Sequence, residues 1–265
     1  MELSDFFREN PRAALAFSGG TDSAYLLYEA LQCGAEVRPY YVKTPFQPRF
    51  ELDDALRLTK ELGTELTVIE YDILNDGLVS ANPADRCYHC KKKLFGLLLR
   101  ERAANDGFSL IIDGTNASDD AGDRPGMRAL RELEVASPLR LCGLTKARVR
   151  ELSREAGLFT WNKPAYACLA TRIPAGTPID AETLNKVERA EAALAKLGFS
   201  DFRARIAGGG VRLELTEKDM AHLMERRAEV CTVLEKDFAG IALDLRPRTG
   251  MQAELNWTET EKNTI

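Results

Sequence analysis

Leu15-Ala16-Phe17-Ser18-Gly19-Gly20-Thr21-Asp22-Ser23-Ala24 is the stretch that decides the fold. A short apolar run enters two glycines. An acid and hydroxyl residues follow, and then Tyr25, Leu26, Leu27, Ala30 and Leu31 recur with helical spacing. The order is strand, glycine-rich turn, helix. Gly19 and Gly20 let the backbone turn sharply and approach a ligand closely. Ser18, Thr21 and Ser23 bring hydroxyls to the unpaired N–H groups that open the helix. Such a helix start binds phosphate through backbone donors and the macrodipole. The Gly-Lys-Ser/Thr ending of a Walker loop is missing, which disfavours a kinase or GTPase P-loop. The plain alternative is a tight turn with no ligand, set against four matching polar or glycine positions.

Outward from this turn, the spacing predicts a short helix over 1–12, strands at 37–42 and 66–71, and a helix over 52–62 that Gly63 stops. Leu110-Ile111-Ile112 is a fourth strand ending in Asp113-Gly114-Thr115-Asn116. A short fifth strand is expected over 134–139, before a helix over 146–156. Strands alternating with helices predict an α/β fold with a doubly wound parallel sheet. Ligands of such sheets lie outside the carboxyl ends of the strands, where both polar turns fall.

Arg86-Cys87-Tyr88-His89-Cys90 precedes Lys91-Lys92-Lys93, and the lysine run is expected to open a helix reaching about Ala104. That run is either a solvated face or a device that steers an anionic substrate. Asp119, Asp120, Asp123 and Arg124-Pro125-Gly126 are either a charged surface loop or oxygen ligands and an arginine suited to Mg²⁺ and phosphate. Cys168 stands in Lys163-Pro164-Ala165-Tyr166-Ala167-Cys168-Leu169-Ala170-Thr171-Arg172-Ile173-Pro174. Cations nearby in sequence, Lys163 and Arg172, favour its thiolate; the alternative is a buried structural thiol.

Composition changes near Gly176-Thr177-Pro178. The expected domains are 1–176 and a small α+β domain, 177–265, with the order helix, hairpin, helix, strand. Arg203 and Arg205 alternate on one strand and so share a face, and Arg212 lies on the next strand. Guanidinium groups recognise phosphate well; an exposed arginine ladder is the other reading. Glu191 is a weaker acidic candidate. Cys33, Cys142 and Cys231 have no partner spacing and read as core thiols.

The formal charge is −5, which argues against a nucleic-acid partner. No apolar run is long enough for a membrane span. Met1 leads into Glu2, Ser4 and Asp5 without a signal-like segment, so a cytoplasmic location is expected.

The form Ser18-Gly19-Gly20-Thr21-Asp22-Ser23 resembles the PP-loop of ATP pyrophosphatases, which adenylate a substrate and release pyrophosphate. Together with Asp113-Gly114-Thr115-Asn116, Arg124-Pro125-Gly126 and the 163–174 stretch, the order of motifs resembles the LarE family over most of the chain. LarE proteins are ATP-dependent sulfurtransferases in assembly of the nickel-pincer nucleotide of lactate racemase. The resemblance implies adenylation of the carboxylates of pyridinium-3,5-biscarboxylic acid mononucleotide and their conversion to thiocarboxylates. It implies ATP and Mg²⁺ at Ser18, Gly19, Gly20, Asp22, Ser23, Asp113, Gly114, Thr115, Asn116 and Arg124. It further implies a substrate-phosphate site at Arg203, Arg205 and Arg212, a homo-oligomer, and other proteins of the same cofactor assembly as partners.

Two sulfur sources occur in the family. One is sacrificial donation from the position matching Cys168, leaving dehydroalanine. The other is a [4Fe-4S] cluster on three cysteines, which Cys87, Cys90 and Cys168 match. A structural zinc pair and a redox dithiol are competing readings of Cys87 and Cys90. His89, wedged between them, reads as a surface imidazole. Rival functions are tRNA thiolation, an amide-forming synthetase and a non-catalytic nucleotide-binding regulator.

Overall fold

The computed structural model describes residues 1–119 and 125–248. The chain forms two compact units, Met1–Lys163 and Pro164–Ile265, so the 164–176 stretch is grouped with the second.

In the first unit, β1 (Arg12–Ala16), β2 (Glu36–Lys43), β3 (Thr67–Glu70) and β4 (Ile111–Asp113) form an all-parallel sheet in the order β3-β2-β1-β4. Helices α1 (Leu3–Glu9), α2 (Thr21–Gln32), α3 (Arg49–Glu61), α4 (Gly77–Ser80) and α5 (Arg86–Lys93) follow the chain. A π-helical turn, Leu94–Leu99, joins α5 to α6 (Arg100–Asn105); α7 (Pro125–Glu132), α8 (Pro138–Leu141) and α9 (Lys146–Glu155) complete the described helices. Alternate strand residues reach opposite faces. Ala13, Leu15, Val37, Tyr41 and Ile112 therefore join a core with α1, α2 and α3, whereas Ala14, Tyr40 and Ile111 pack with Leu99, Ala103 and Phe108. Both faces are covered, which is the doubly wound arrangement.

Strand order reverses at β1, since β2 lies on one side of it and β4 on the other. Ala16 pairs with Asp113, so β1 and β4 end at the same level. The turns after both strands emerge side by side at this switch point, where open parallel sheets bind ligands.

Two expectations for the first unit are corrected. The fifth strand reduces to a single bridge between Ala136 and Ile112. Pro138 lacks the N–H a ladder needs and stands at the start of α8. The lysine-rich helix begins at Arg86, not after Cys90, so Cys87 and Cys90 are helical residues.

The second unit contains α10 (Ala181–Lys196), β5 (Arg203–Ala207), β6 (Gly210–Glu214), α11 (Glu217–Glu225), α12 (Arg227–Leu234) and β7 (Ile241–Leu243). The single helix expected over 217–237 is broken at Arg226, whose backbone leaves the helical region. β5 and β6 form the hairpin, and β7 adds parallel to β6. Gly208 and Gly209 carry φ of +55° and +79° in the two-residue turn, the left-handed pair such a hairpin requires. Leu194, Ala204, Val211, Leu213, Leu215 and Leu234 form a core of their own.

Candidate functional site

The turn after β1 is held from within. Ser18 Oγ and Ser23 Oγ lie 3.1 Å apart, Gly20 N donates to Ser18 Oγ at 3.3 Å, and Ser23 Oγ donates to Gly20 O at 3.2 Å. Gly19 has φ of +70°, and a Cβ there would press on Ala55 of α3 at 3.1 Å. Thr21 Oγ1 donates to Thr160 O at 2.7 Å. Lys163 Nζ pairs with Asp54 at 2.7 Å and reaches Gly19 O at 3.5 Å, which ties the turn to α3. The turn is thus preorganised before any ligand arrives.

The turn after β4 meets it directly. A Cβ on Gly114 would lie 2.8 Å from Ser23 N, so only glycine permits this approach. Asp113 is buried and accepts from Thr115 Oγ1 at 2.6 Å and Ser137 Oγ at 2.7 Å. Asn116 Nδ2 donates to Asp22 Oδ1 at 3.4 Å, and Asn116 N donates to Asp119 at 2.8 Å.

Asp22 faces Lys146 Nζ at 2.5 Å. Burial raises the Asp22 carboxyl above the usual carboxylate range, and Asp119 adds to this; Lys146 opposes both without cancelling them. Lys146 is a residue that sequence reasoning misses, because nothing in Thr145-Lys146 beyond a helix start marks it. Its partnership with Asp22 spans 124 positions of sequence.

Ser18, Asp22, Ser23, Asp113, Gly114, Thr115 and Asp119 line one cavity of about 570 Å³, together with Cys87, Lys91 and Phe95 from the helix that begins at Arg86 and with Pro125, Gly126 and Met127. Its size suits a nucleotide-sized ligand. Arg124, Asp120 and Asp123 lie outside the described residues. Cys87 and Cys90 are three residues apart on α5, neighbours on the helix surface. Cys87 is exposed and Cys90 partly exposed. Two soft thiol donors one turn apart fit part of an iron–sulfur ligand set. Among the described residues no three or more His, Cys, Asp or Glu side chains are gathered to hold a metal ion. His89 pairs with Asp85 at 3.2 Å.

Of the expected core thiols, Cys33 is exposed at the end of α2, which corrects that expectation; Cys142 and Cys231 are partly buried.

In the second unit, Arg172 is fully buried and bidentate on Glu191, with Nε–Oε1 2.8 Å and Nη2–Oε2 3.1 Å. Glu191 also accepts from Tyr166 Oη and, at 2.9 Å, from Ala204 N. It is a buried partner, not an available acid. Arg172 Nη1 donates to Ala167 O at 2.8 Å and Cys168 O at 3.4 Å, so it grips the backbone beside Cys168. Arg203 is buried, and its guanidinium donates to the carbonyls of Phe202 and Ala165. Burial and the neighbouring cations Arg172 and Arg248 push its pKa down to about 10. Arg205 pairs with Glu214 at 2.6 Å and donates to Thr171 O, while Arg212 reaches Glu214 at 3.1 Å from a more exposed position.

No protein-family model matches the chain. Among curated proteins it is 33% identical over 88% of its length to the pyridinium-3,5-bisthiocarboxylic acid mononucleotide synthase of Lactiplantibacillus plantarum, covering 86% of that protein. The chain belongs to the LarE family. This LarE chain is also 34% identical to an uncharacterized Synechocystis protein, over 84% of its own length and 83% of the other's. A 24% match to the tRNA-specific 2-thiouridylase MnmA of Thermotoga petrophila covers 57% of the LarE chain and 54% of that protein. The all-parallel sheet flanked by helices is consistent with the PP-loop fold.

Proposed function

We propose that this chain is an ATP-dependent sulfur-inserting enzyme acting on a pyridinium carboxylate mononucleotide, as the name of its Lactiplantibacillus relative indicates for that protein. The observation that carries the reading is that Cys87 lines the same cavity as the 18–23 turn. A thiol beside a phosphate-binding turn joins activation and sulfur delivery in one place. The chemistry needs both. A carboxylate is a poor electrophile; transfer of AMP to one of its oxygens, with pyrophosphate leaving, provides a good leaving group. Attack by sulfur on the acyl carbon then forms the C–S bond and expels AMP.

In this reading the backbone N–H groups at the start of α2 and the hydroxyls of Ser18 and Ser23 receive phosphate oxygens. Asp22 and Asp119 offer carboxylate oxygens of the kind Mg²⁺ takes, with Lys146 holding Asp22 in place until then. Asp113 keeps the second turn rigid through Thr115 and Ser137. Cys87, Cys90 and Cys168 are the thiols assigned to a [4Fe-4S] cluster, which when bound would supply the sulfide. Arg203, Arg205 and Arg212 are assigned to the substrate phosphate, a dianion that would offset the poorly compensated charge of Arg203. A homo-oligomer and handover to other proteins of the cofactor's assembly belong to the same reading.

The test is anaerobic incubation with ATP, sulfide and the pyridinium dicarboxylate mononucleotide, with product masses and pyrophosphate measured. The expected products carry sulfur for oxygen, with one pyrophosphate released per exchange. Cys87→Ala and Cys90→Ala should lose iron and sulfur transfer but keep pyrophosphate release. Full sulfur transfer by either variant, with dehydroalanine at Cys168, would instead favour the sacrificial thiol.

A further inference from the structure

The three consecutive lysines after Cys90 are not equivalent. Lys92 Nζ pairs with Glu132 at 3.1 Å, and Lys93 Nζ pairs with Asp76 at 3.7 Å. Both belong to a paired helix surface. Lys91 alone of the three lines the cavity of the 18–23 turn, and among the described residues no carboxylate pairs with it. Cys87, Lys91 and Phe95 stand at intervals of four, so one stripe of helix presents a thiol, a cation and an aromatic ring to the same cavity. The Lys91 ammonium lies 5.9 Å from the Phe95 ring. Gly126 leaves room for its stem, since a Cβ there would meet Lys91 Cε at 3.4 Å.

The described acids of the cavity already have partners. Asp22 holds Lys146, Asp113 accepts from Thr115 and Ser137, and Asp119 accepts from Asn116 N. A half-buried cation that faces this cavity, with no counter-ion among the described residues, is poised for an anion from solution. The α2 end of the cavity supplies backbone donors and hydroxyls, while Lys91 supplies the positive charge that the 18–23 turn itself lacks, having no lysine of its own. We infer that Lys91 binds a phosphate oxygen of the nucleotide, one helical turn from Cys87. This rests on the reading that the cavity takes ATP.

The test is calorimetric titration of the full chain with Mg²⁺–ATP, comparing wild type with Lys91→Met, Lys92→Met, Lys93→Met and Lys91→Arg, all checked for unchanged melting. Lys91→Met should weaken ATP binding about tenfold or more, equivalent to about 1.4 kcal/mol, and flatten its salt dependence. Lys92→Met and Lys93→Met should stay within about threefold of wild type, and Lys91→Arg should recover most of the affinity. A Lys91→Met protein that binds ATP as well as wild type overturns the inference while leaving ATP use intact. Equal losses in all three methionine variants also overturn it, because a diffuse field would then suffice. Loss of affinity for the pyridinium dicarboxylate mononucleotide with ATP binding retained would reassign Lys91 to the substrate carboxylate and reject the phosphate role. Failure of wild type to bind ATP at all would reject both the inference and the reading beneath it.

Discussion

Glu191→Ala should be the most damaging single substitution in the second unit. The Glu191 carboxylate accepts four hydrogen bonds, two from Arg172 and one each from Tyr166 and Ala204 N. The Arg172 side chain has no exposed surface, and that of Glu191 retains 5%. Burial alone would lower the Arg172 pKa, but Glu191 overrides it, so the guanidinium is held above its ordinary value. Removing the carboxylate leaves a buried cation and an unpaired amide. Breaking one side of such a pair costs about 3–5 kcal/mol, against about 5–15 kcal/mol for a whole domain. Glu191→Gln, which keeps an acceptor but no charge, should cost less. The double variant Arg172→Met/Glu191→Met should recover much of the loss, since apolar replacement of a buried pair is often neutral. Hydrogen exchange of the α10 and β5 amides in the full chain, read against urea, measures the second unit directly. A loss under about 1 kcal/mol for Glu191→Ala would refute the argument, because the guanidinium would then be reaching water. The same variant should release the Cys168 carbonyl from Arg172 and impair sulfur transfer more than pyrophosphate release.

Asp22→Asn should abolish pyrophosphate release without destabilising the protein. A carboxyl raised by burial is costly to ionise, and that cost is present above its folded pKa and fades as pH falls through it; a lower melting temperature for the Asp22→Asn protein at pH 7 would contradict this. Gly114→Ala should lose about 1–3 kcal/mol and ATP binding together, because the new methyl meets the Ser23 backbone rather than a movable side chain; wild-type binding and melting would show that the two turns can part freely. Arg203→Ala and Arg205→Ala should each weaken the pyridinium mononucleotide by about 1.5–3 kcal/mol, with ATP affinity unchanged, in direct titrations.

The parallel α/β sheet is legible in the amino-acid sequence, because alternating apolar runs, glycine punctuation and 3.6-residue periodicity are local signals. Val37 to Val42 and the two glycine turns read correctly for that reason. The 18–23 turn was marked as well, since its form depends on backbone conformation and short side chains within six residues. Local pattern misplaced the start of α5 by reading the cysteine motif as a loop, although Asp85 is a favoured capping residue, and it extended a strand over 134–139 that Pro138 turns into a helix. Which polar residues are available and which are occupied emerged from the folded arrangement alone. Lys163 and Arg172 read as activators of Cys168, yet one pairs with Asp54 and the other is buried on Glu191. Lys146 carried no signal until the fold set it against Asp22, and the three lysines after Cys90 were indistinguishable until packing gave Glu132 and Asp76 to two of them. The cause is the same in each case: a charge acts through whatever lies within a few ångströms, and those neighbours come from distant parts of the chain.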